Sequence, residues 1–501
     1  MAGADLTASS ARIPDAADIQ ALLVAGYGTL TEATFLLLQI ADAAAARAWL
    51  AAAPVTAAAD LAQRLDTAVQ VAVSARGLRA LGVDGAVVAG FAPEFLSGMA
   101  GDEGRSRRLG DVGPSAPSSW LWGATGEPDL LLMLYSVPGG LDALRDRVTH
   151  AAFHRGFRVV ADLAASDMMG REPFGFLDGV SQPRIDWNGM RQVGTAADLG
   201  YGNLIAPGEF VLGRRNEYGL YTERPLLDPA QADGLPTADD DPTRRDLGRN
   251  GTYLVLRELS QDVRGFWRFM ADTAGAAGAD ALAETMVGRR LSGDALVPLG
   301  TQPIPGLGPD QGDITRNQFT YETDQNGLRC PFGAHVRRAN PRTGDMPGGR
   351  QGRLSWLIRT LGFDHANLRQ DLVASSRFHR VLRRGRPFGA PMSRQEALRP
   401  DAADPAGGLH FICLGANIAR QFEFVQNAWL SSAKFNGLSG ESDPVTGNRA
   451  PFPPGQVTDG FGMPQQNGAT RRIAGLHQFV TVRGGGYFFL PGLRALRYFA
   501  R

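Results

Sequence analysis

The chain has 501 residues, 44% of them hydrophobic and 20% charged, with Lys+Arg and Asp+Glu both totalling 51. That is ordinary globular composition, enough for two or three packed units, and its balanced charge offers neither a nucleic-acid footprint nor a basic membrane-facing surface. No run approaches the ~18 apolar residues of a membrane span, and two cysteines, Cys330 and Cys413, make neither a disulfide framework nor a metal clip.

Residues 1–30 are rich in Ala and Ser and are expected to be loosely held. Residues 1–15 lack a basic stretch followed by an apolar core, so a cytoplasmic location is expected. Residues 35–40, Phe-Leu-Leu-Leu-Gln-Ile, predict a buried strand. Asp42 then caps an Ala-rich helix running through Trp49. Residues 69–73 and 130–136 predict strands, 140–150 a helix and 157–163 a strand. Strand, helix, strand, strand, helix, strand is the order of a ferredoxin-like unit.

A related order follows. Residues 253–259 predict a strand and 263–274 a helix. Residues 378–382 and 410–414 predict strands, 418–430 a helix with apolar Ile418, Phe422, Val425 and Trp429, and 479–483 or beyond a last strand. The reading is α+β: a first unit over 31–220 and a second over 221–501, related in pattern but not in sequence. Loops at 223–250, 298–313 and 343–367 are rich in Gly, Pro and Asp. Loops of this length suit lids or subunit contacts, which leaves a homo-oligomer open.

Three stretches carry candidate chemistry. Residues 330–342 read Cys-Pro-Phe-Gly-Ala-His-Val-Arg-Arg-Ala-Asn-Pro-Arg. Small residues before His335 let its ring approach a flat partner, and Arg337 and Arg338 add cations nearby. A planar dianion with a central metal suits this arrangement, and haem is such a molecule. The alternative is a partly buried His beside a solvated Arg pair. In residues 175–183, Gly-Phe-Leu-Asp-Gly-Val-Ser-Gln-Pro, Asp178 sits between glycines; it faces a pocket or forms a plain Asp-Gly turn. In residues 380–389, Arg383 follows an apolar stretch and precedes Gly385 and Pro387. It projects into a cavity or sits in an exposed basic turn. Lys434 is the only lysine, so a single Arg carries less meaning than usual.

Taken together and in this order, the three stretches resemble the dye-decolourising peroxidase family. The matching elements are Gly175-Phe176-Leu177-Asp178-Gly179, Ala334-His335 and Arg383. Leu38-Gln39-Ile40-Ala41-Asp42, Phe210-Val211-Leu212-Gly213 and Tyr487-Phe488-Phe489-Leu490-Pro491 support it, so the likeness runs from about residue 30 to the end, closest to the longer members. The resemblance implies two ferredoxin-like units with one haem b in the second. His335 would be the proximal iron ligand, with Asp178 and Arg383 on the peroxide side. Arg337 or Arg338 would pair with a haem propionate. Asp443 resembles the acid that takes a hydrogen bond from the ligand His, though it also suits a turn. Phe388, Phe488, Phe489 and Leu490 would be apolar neighbours of the pocket. The implied activity is reduction of hydrogen peroxide with one-electron oxidation of organic donors, phenols or dyes. With no second His in a comparable motif, acid–base work falls to Asp178. Trp429 and Tyr487 suit core packing better than electron relay. The rival is a haem-binding or haem-handling protein without turnover, which gives Asp178 and Arg383 no task.

Overall fold

In the computed structural model, the described residues are 13–191, 201–301, 304–307, 311–345, 375–403, 405–449 and 457–501. Most of the expected 343–367 insertion lies outside them. The first half supplies β1 (Glu32–Ile40), α1 (Ala43–Ala52), β2 (Thr67–Val73), β3 (Leu130–Ser136), α2 (Leu141–Val148) and β4 (Phe157–Ala164). The second half supplies β5 (Thr252–Gln261), α3 (Val263–Ala274), α4 (Ala279–Val287), α5 (His335–Ala339), β6 (Leu382–Arg383), β7 (Arg386–Gly389), β8 (Gly407–Gly415) and β9 (Val480–Leu490). Among the described residues, no helix is long and apolar enough to cross a membrane.

The strands of both halves join in one antiparallel sheet, ordered β6-β8-β5-β9-β2-β3-β1-β4, with β7 also paired to β8. In the sheet the halves join where β2 pairs with β9 at Val73 opposite Phe489, Trp122 of the first half also bridges to Gly484 of β9, and both cores span the two halves. Both faces of the sheet are covered, which is why β1 and β3 read as continuous apolar runs rather than alternating ones. Leu36, Leu38, Leu132 and Leu134 go to one core, with Trp49 of α1 and Phe489. Phe35, Leu37, Leu131 and Met133 go to the other, with Leu254 and Ile412. This one-residue alternation fixes register, since a single slip would exchange the two cores.

Helix starts follow the sequence. Asp42 accepts from Ala45 N at 2.8 Å and Asp262 from Gly265 N at 2.7 Å, satisfying donors of the first turns of α1 and α3. In α3, Val263, Phe266, Trp267 and Met270 recur at helical spacing and are buried.

Three expectations are corrected. Residues 13–30 are not loosely held: Ile13, Ile19, Leu22 and Leu23 are buried, and the Gln20 amide donates to Val71 O and Pro491 O. The expected strand at 378–382 reduces to Leu382–Arg383, because 375–377 form a short helical turn. The helix expected over 418–430 exists, but residues 419–431 are largely π-helical, a wide hydrogen-bonding pattern frequent at functional sites.

Candidate active site

His335 opens α5, directly after the buried Ala334. Space here is tight: a Cβ on Gly288, just past α4, would come within 3.2 Å of Ala334 Cβ and 3.3 Å of Cys330 Sγ. Gly288 therefore lets α4 lie close against the start of α5. His335 Nδ1 lies 2.9 Å from Asp443 Oδ2, and the Asp443 side chain has no exposure. The other carboxylate oxygen accepts from Val445 N at 2.9 Å and Thr446 N at 2.8 Å. Burial pushes the Asp443 carboxyl up, but the His335 ring and Arg338 outweigh it and hold it down at about 2. Burial also lowers His335, and the Asp443 carboxylate more than reverses this, so the imidazole is raised above its ordinary value. An ionised Asp443 makes Nδ1 the protonated nitrogen. In the neutral ring this leaves the lone pair on Nε2, the tautomer a metal ligand needs.

That cavity has a volume of about 330 Å³, and His335, Asp178 and Arg383 all line it. Asp178 lies in the loop between β4 and the second half. Gly175 (φ +98°) and Gly179 (φ +70°) flank it in the left-handed region, which glycine enters without strain. Asp178 N donates to Gly170 O at 2.9 Å, and Gly179 N donates to Asp178 Oδ1 at 2.6 Å. Arg383 ends β6, with its Nη1 3.5 Å from Asp178 Oδ1. Its main chain is held on both sides by the Gln182 amide, and its Nη2 donates to Ser181 O at 3.1 Å. Both side chains stay about two-fifths exposed. The expected trio is thus brought together, along with Asp443 behind His335.

Arg337 and Arg338 are not on the cavity. At ~100° per residue, Arg337 falls about 200° round α5 from His335 and faces away from it, while Arg338, one turn on, is drawn off by main-chain carbonyls. Arg337 is buried between the rings of Tyr321 and Phe332 and donates to Asp324 Oδ2 and Cys330 O. Arg338 donates to Gly333 O, Trp429 O, Ser432 O and Glu441 O. Both brace the loop and helix that carry His335; neither is available to a propionate. Phe388 also misses the cavity: it stacks on His410 at 4.4 Å, on the face of β8 opposite the cavity-lining Leu409 and Phe411. Phe488, Phe489 and Leu490 lie in the cores.

Besides Arg383, and Arg257 paired with Asp111, three arginines line the cavity: Arg289, Arg342 and Arg380. Arg289 donates to Gly293 O, Arg316 O and Asn317 Oδ1. Arg342 donates to Asn317 O and Phe319 O. Arg380 donates to the Tyr201 hydroxyl at 3.1 Å and to Asn203 Oδ1 at 2.8 Å. Among the described residues, none of the three meets a carboxylate. Burial, then the Arg342 charge beside it, pulls Arg289 down to about 10. Burial raises the Tyr201 phenol, but Arg342 and Arg380 overcome it and bring it down to about 8. Buried cations held by neutral oxygens lack the counter-charge that burial ordinarily demands. A ligand bearing carboxylates would supply it. With apolar walls from Phe176, Leu259, Phe411, Leu430 and Val480, the cavity fits a flat, mostly apolar dianion such as haem.

Sequence reasoning missed two further wall residues. His379, given no role from its position, lies flat on Phe424 at 3.7 Å and bonds to Arg420 O. Burial lowers it to about 4, which keeps the ring neutral. Glu172 reaches the wall from the loop that carries Asp178. Only the fold reveals either, since neither sits in a distinctive local pattern.

No family model matches the chain. Among curated proteins it is 30% identical over 457 residues to dye-decolorizing peroxidase msp1 of Mycetinis scorodonius, covering 86% of this chain and 76% of that one. It is 29% identical over 446 residues to multifunctional dye peroxidase DyP2 of Amycolatopsis sp., covering 85% and 81%. Among solved structures, a dye-decolorizing peroxidase in complex with 2,6-dimethoxyphenol superposes with a TM-score of 0.72 at 24% identity, over 98% of this chain and 100% of that one. The Auricularia auricula-judae enzyme complexed with imidazole gives 0.72 at 24% identity, over 97% and 100%. The fold, the likeness along nearly the whole chain and the 30% relative agree: this chain belongs to the dye-decolourising peroxidase family.

Proposed function

We propose that the protein is a haem peroxidase, one haem b per chain, that reduces hydrogen peroxide and oxidises organic donors, phenols or dyes, in one-electron steps. The observation that carries this reading is a single cavity holding an Asp443-oriented His335 and an Asp178–Arg383 pair. A related peroxidase crystallises with a phenol and another with cyanide, which supports small donors and anions as ligands.

When bound, the haem supplies the redox chemistry. His335 would hold the iron through Nε2, while Asp443 keeps the proton on Nδ1 and strengthens the donor. Arg289, Arg342 and Arg380 would neutralise the carboxylates of the porphyrin. Asp178 would take a proton from incoming peroxide and return it to the departing oxygen. Arg383 would stabilise the negative charge that grows as the O–O bond breaks. The apolar walls exclude water and strengthen both effects.

A haem carrier without turnover would share His335 and leave the Asp178–Arg383 pair idle. An absorption spectrum before and after one equivalent of peroxide separates the readings. A porphyrin band that shifts and then returns on adding a phenol is expected. An unchanged band refutes the enzyme.

A further inference from the structure

Glu172 is a carboxyl group built into the cavity wall that, among the described residues, forms no salt bridge. Its Oε2 accepts from Phe174 N at 3.0 Å and from Gln261 Nε2 at 2.9 Å, and its Oε1 accepts from Phe176 N at 2.9 Å. Its main chain closes the same turn, with Glu172 N donating to Phe176 O and Gly175 N to Glu172 O. Gln261 ends β5, so this contact ties the loop to the sheet. Phe174 and Phe176 are pinned in turn, Phe174 stacking on Phe266 of α3 at 4.4 Å. Two residues beyond Phe176 stands Asp178.

We propose that Glu172 is the positioning residue of the peroxide-handling loop: its carboxylate grips two main-chain N–H groups and one amide, and so fixes the turn that presents Asp178 to Arg383. The proposal rests on the peroxidase reading above. The main chain adds Asp178 N donating to Gly170 O and Leu177 N to Leu291 O, and Glu172 supplies the side-chain acceptor inside this frame. Arg171 braces its outer edge, donating to Gly175 O and Leu291 O. An aspartate here would be one methylene short of the pair of N–H groups. A glutamine would turn an NH₂ toward an N–H donor, leaving one donor unmet and the turn free to move. Burial raises the Glu172 carboxyl to about 7, against the pull of its three N–H partners, and the Asp178 charge adds to the rise. The His335 ring is the other charged group coupled to it. Glu172 therefore acts through the geometry of its hydrogen bonds, with no salt bridge among the described residues to substitute for them.

The test is a double-mutant cycle of Glu172→Gln and Asp178→Asn in the haem-loaded protein, read by stopped-flow reaction with peroxide. In the wild-type background, Glu172→Gln should leave haem content and band position intact and slow the peroxide step about tenfold or more, since displacements near 1 Å cost that much or more. In the Asp178→Asn background the same change should alter the rate by less than about twofold, the non-additivity of residues acting through one group. In steady state, kcat/KM for peroxide should fall while kcat/KM for the organic donor holds. Equal slowing in both backgrounds, no slowing in either, or a loss exceeding that of Asp178→Asn alone each overturns the proposal. If Glu172→Gln fails to take up haem, Gln261→Leu, which removes one donor and leaves the loop sequence intact, is put through the same cycle under the same criteria. A wild-type chain with no porphyrin band refutes the peroxidase reading itself, and this proposal with it.

Discussion

Replacing Asp443 with asparagine isolates the group behind the proposed iron ligand. The carboxylate accepts the His335 Nδ1 proton through one oxygen and two main-chain N–H groups through the other. An asparagine has one oxygen for both tasks. The N–H groups of Val445 and Thr446 would claim it, leaving the NH₂ facing Nδ1. The ring would then carry its proton on Nε2, the wrong side for a metal. Loss of such an orienting partner typically costs about 10–100-fold in metal affinity, or roughly 1.4–2.7 kcal/mol. The assay is transfer of haem from the loaded protein to an excess of a competing apo-haem protein, followed at the Soret band, alongside the reduction potential. Faster release and a raised potential are expected, because a weaker donor stabilises the oxidised iron less. Release within twofold of wild type, at an unchanged potential, would refute the tautomer argument.

Arg383→Leu should retain haem and slow the peroxide step about 10²–10³-fold, the usual cost of removing a charge-stabilising donor; stopped-flow mixing reads this directly. Arg342→Leu and Arg380→Leu should each weaken haem binding and also lower the melting temperature of the haem-free protein, since buried oxygens lose their donor. Arg338→Leu should destabilise the haem-free protein by about 3 kcal/mol or more, as four main-chain carbonyls lose their donor, with haem affinity per folded chain little changed. The Asp443 carboxyl, near 2 in the folded chain against an ordinary 3.8, contributes stability at neutral pH that is lost as pH falls from about 4 to 2. Its contribution is about 2 kcal/mol, so acid unfolding of the haem-free Asp443→Asn variant should show a correspondingly shallower slope in that window.

Periodicity carried most of the fold. The apolar runs of β1 and β3, and α3 with its stripe from Val263 to Met270, stand out because burial demands those patterns locally. His335, Asp178, Arg383 and Asp443 were legible as motifs in order, before any contact between them was visible. The cationic wall was not. Arg289, Arg342 and Arg380 come from three distant stretches, and a chain with one lysine gives every arginine the same weak signal. Arg337 and Arg338 misled for the converse reason: closeness in sequence to His335 does not keep a guanidinium from being drawn into the surrounding frame by buried partners. The π-helical turns at 419–431 share their apolar spacing with an ordinary helix, so the wider hydrogen bonding left no trace in composition.

The seam between the two half-sheets is short, the β2–β9 pair at Val73 and Phe489 with a bridge from Trp122 to Gly484. Aromatic packing reinforces it, with Phe91 and Phe95 of the first half against Phe489 and Tyr253 of the second. The cavity draws its walls from both sides of that seam, Gly110 to Ser115 on one and His335 on the other. A prosthetic group lodged there acts as a rivet through two plates. Because both cores already run through the two halves, loaded and empty chains alike should unfold in one step, the loaded ones at the higher temperature, making cofactor supply during synthesis a determinant of how much intact protein a cell accumulates.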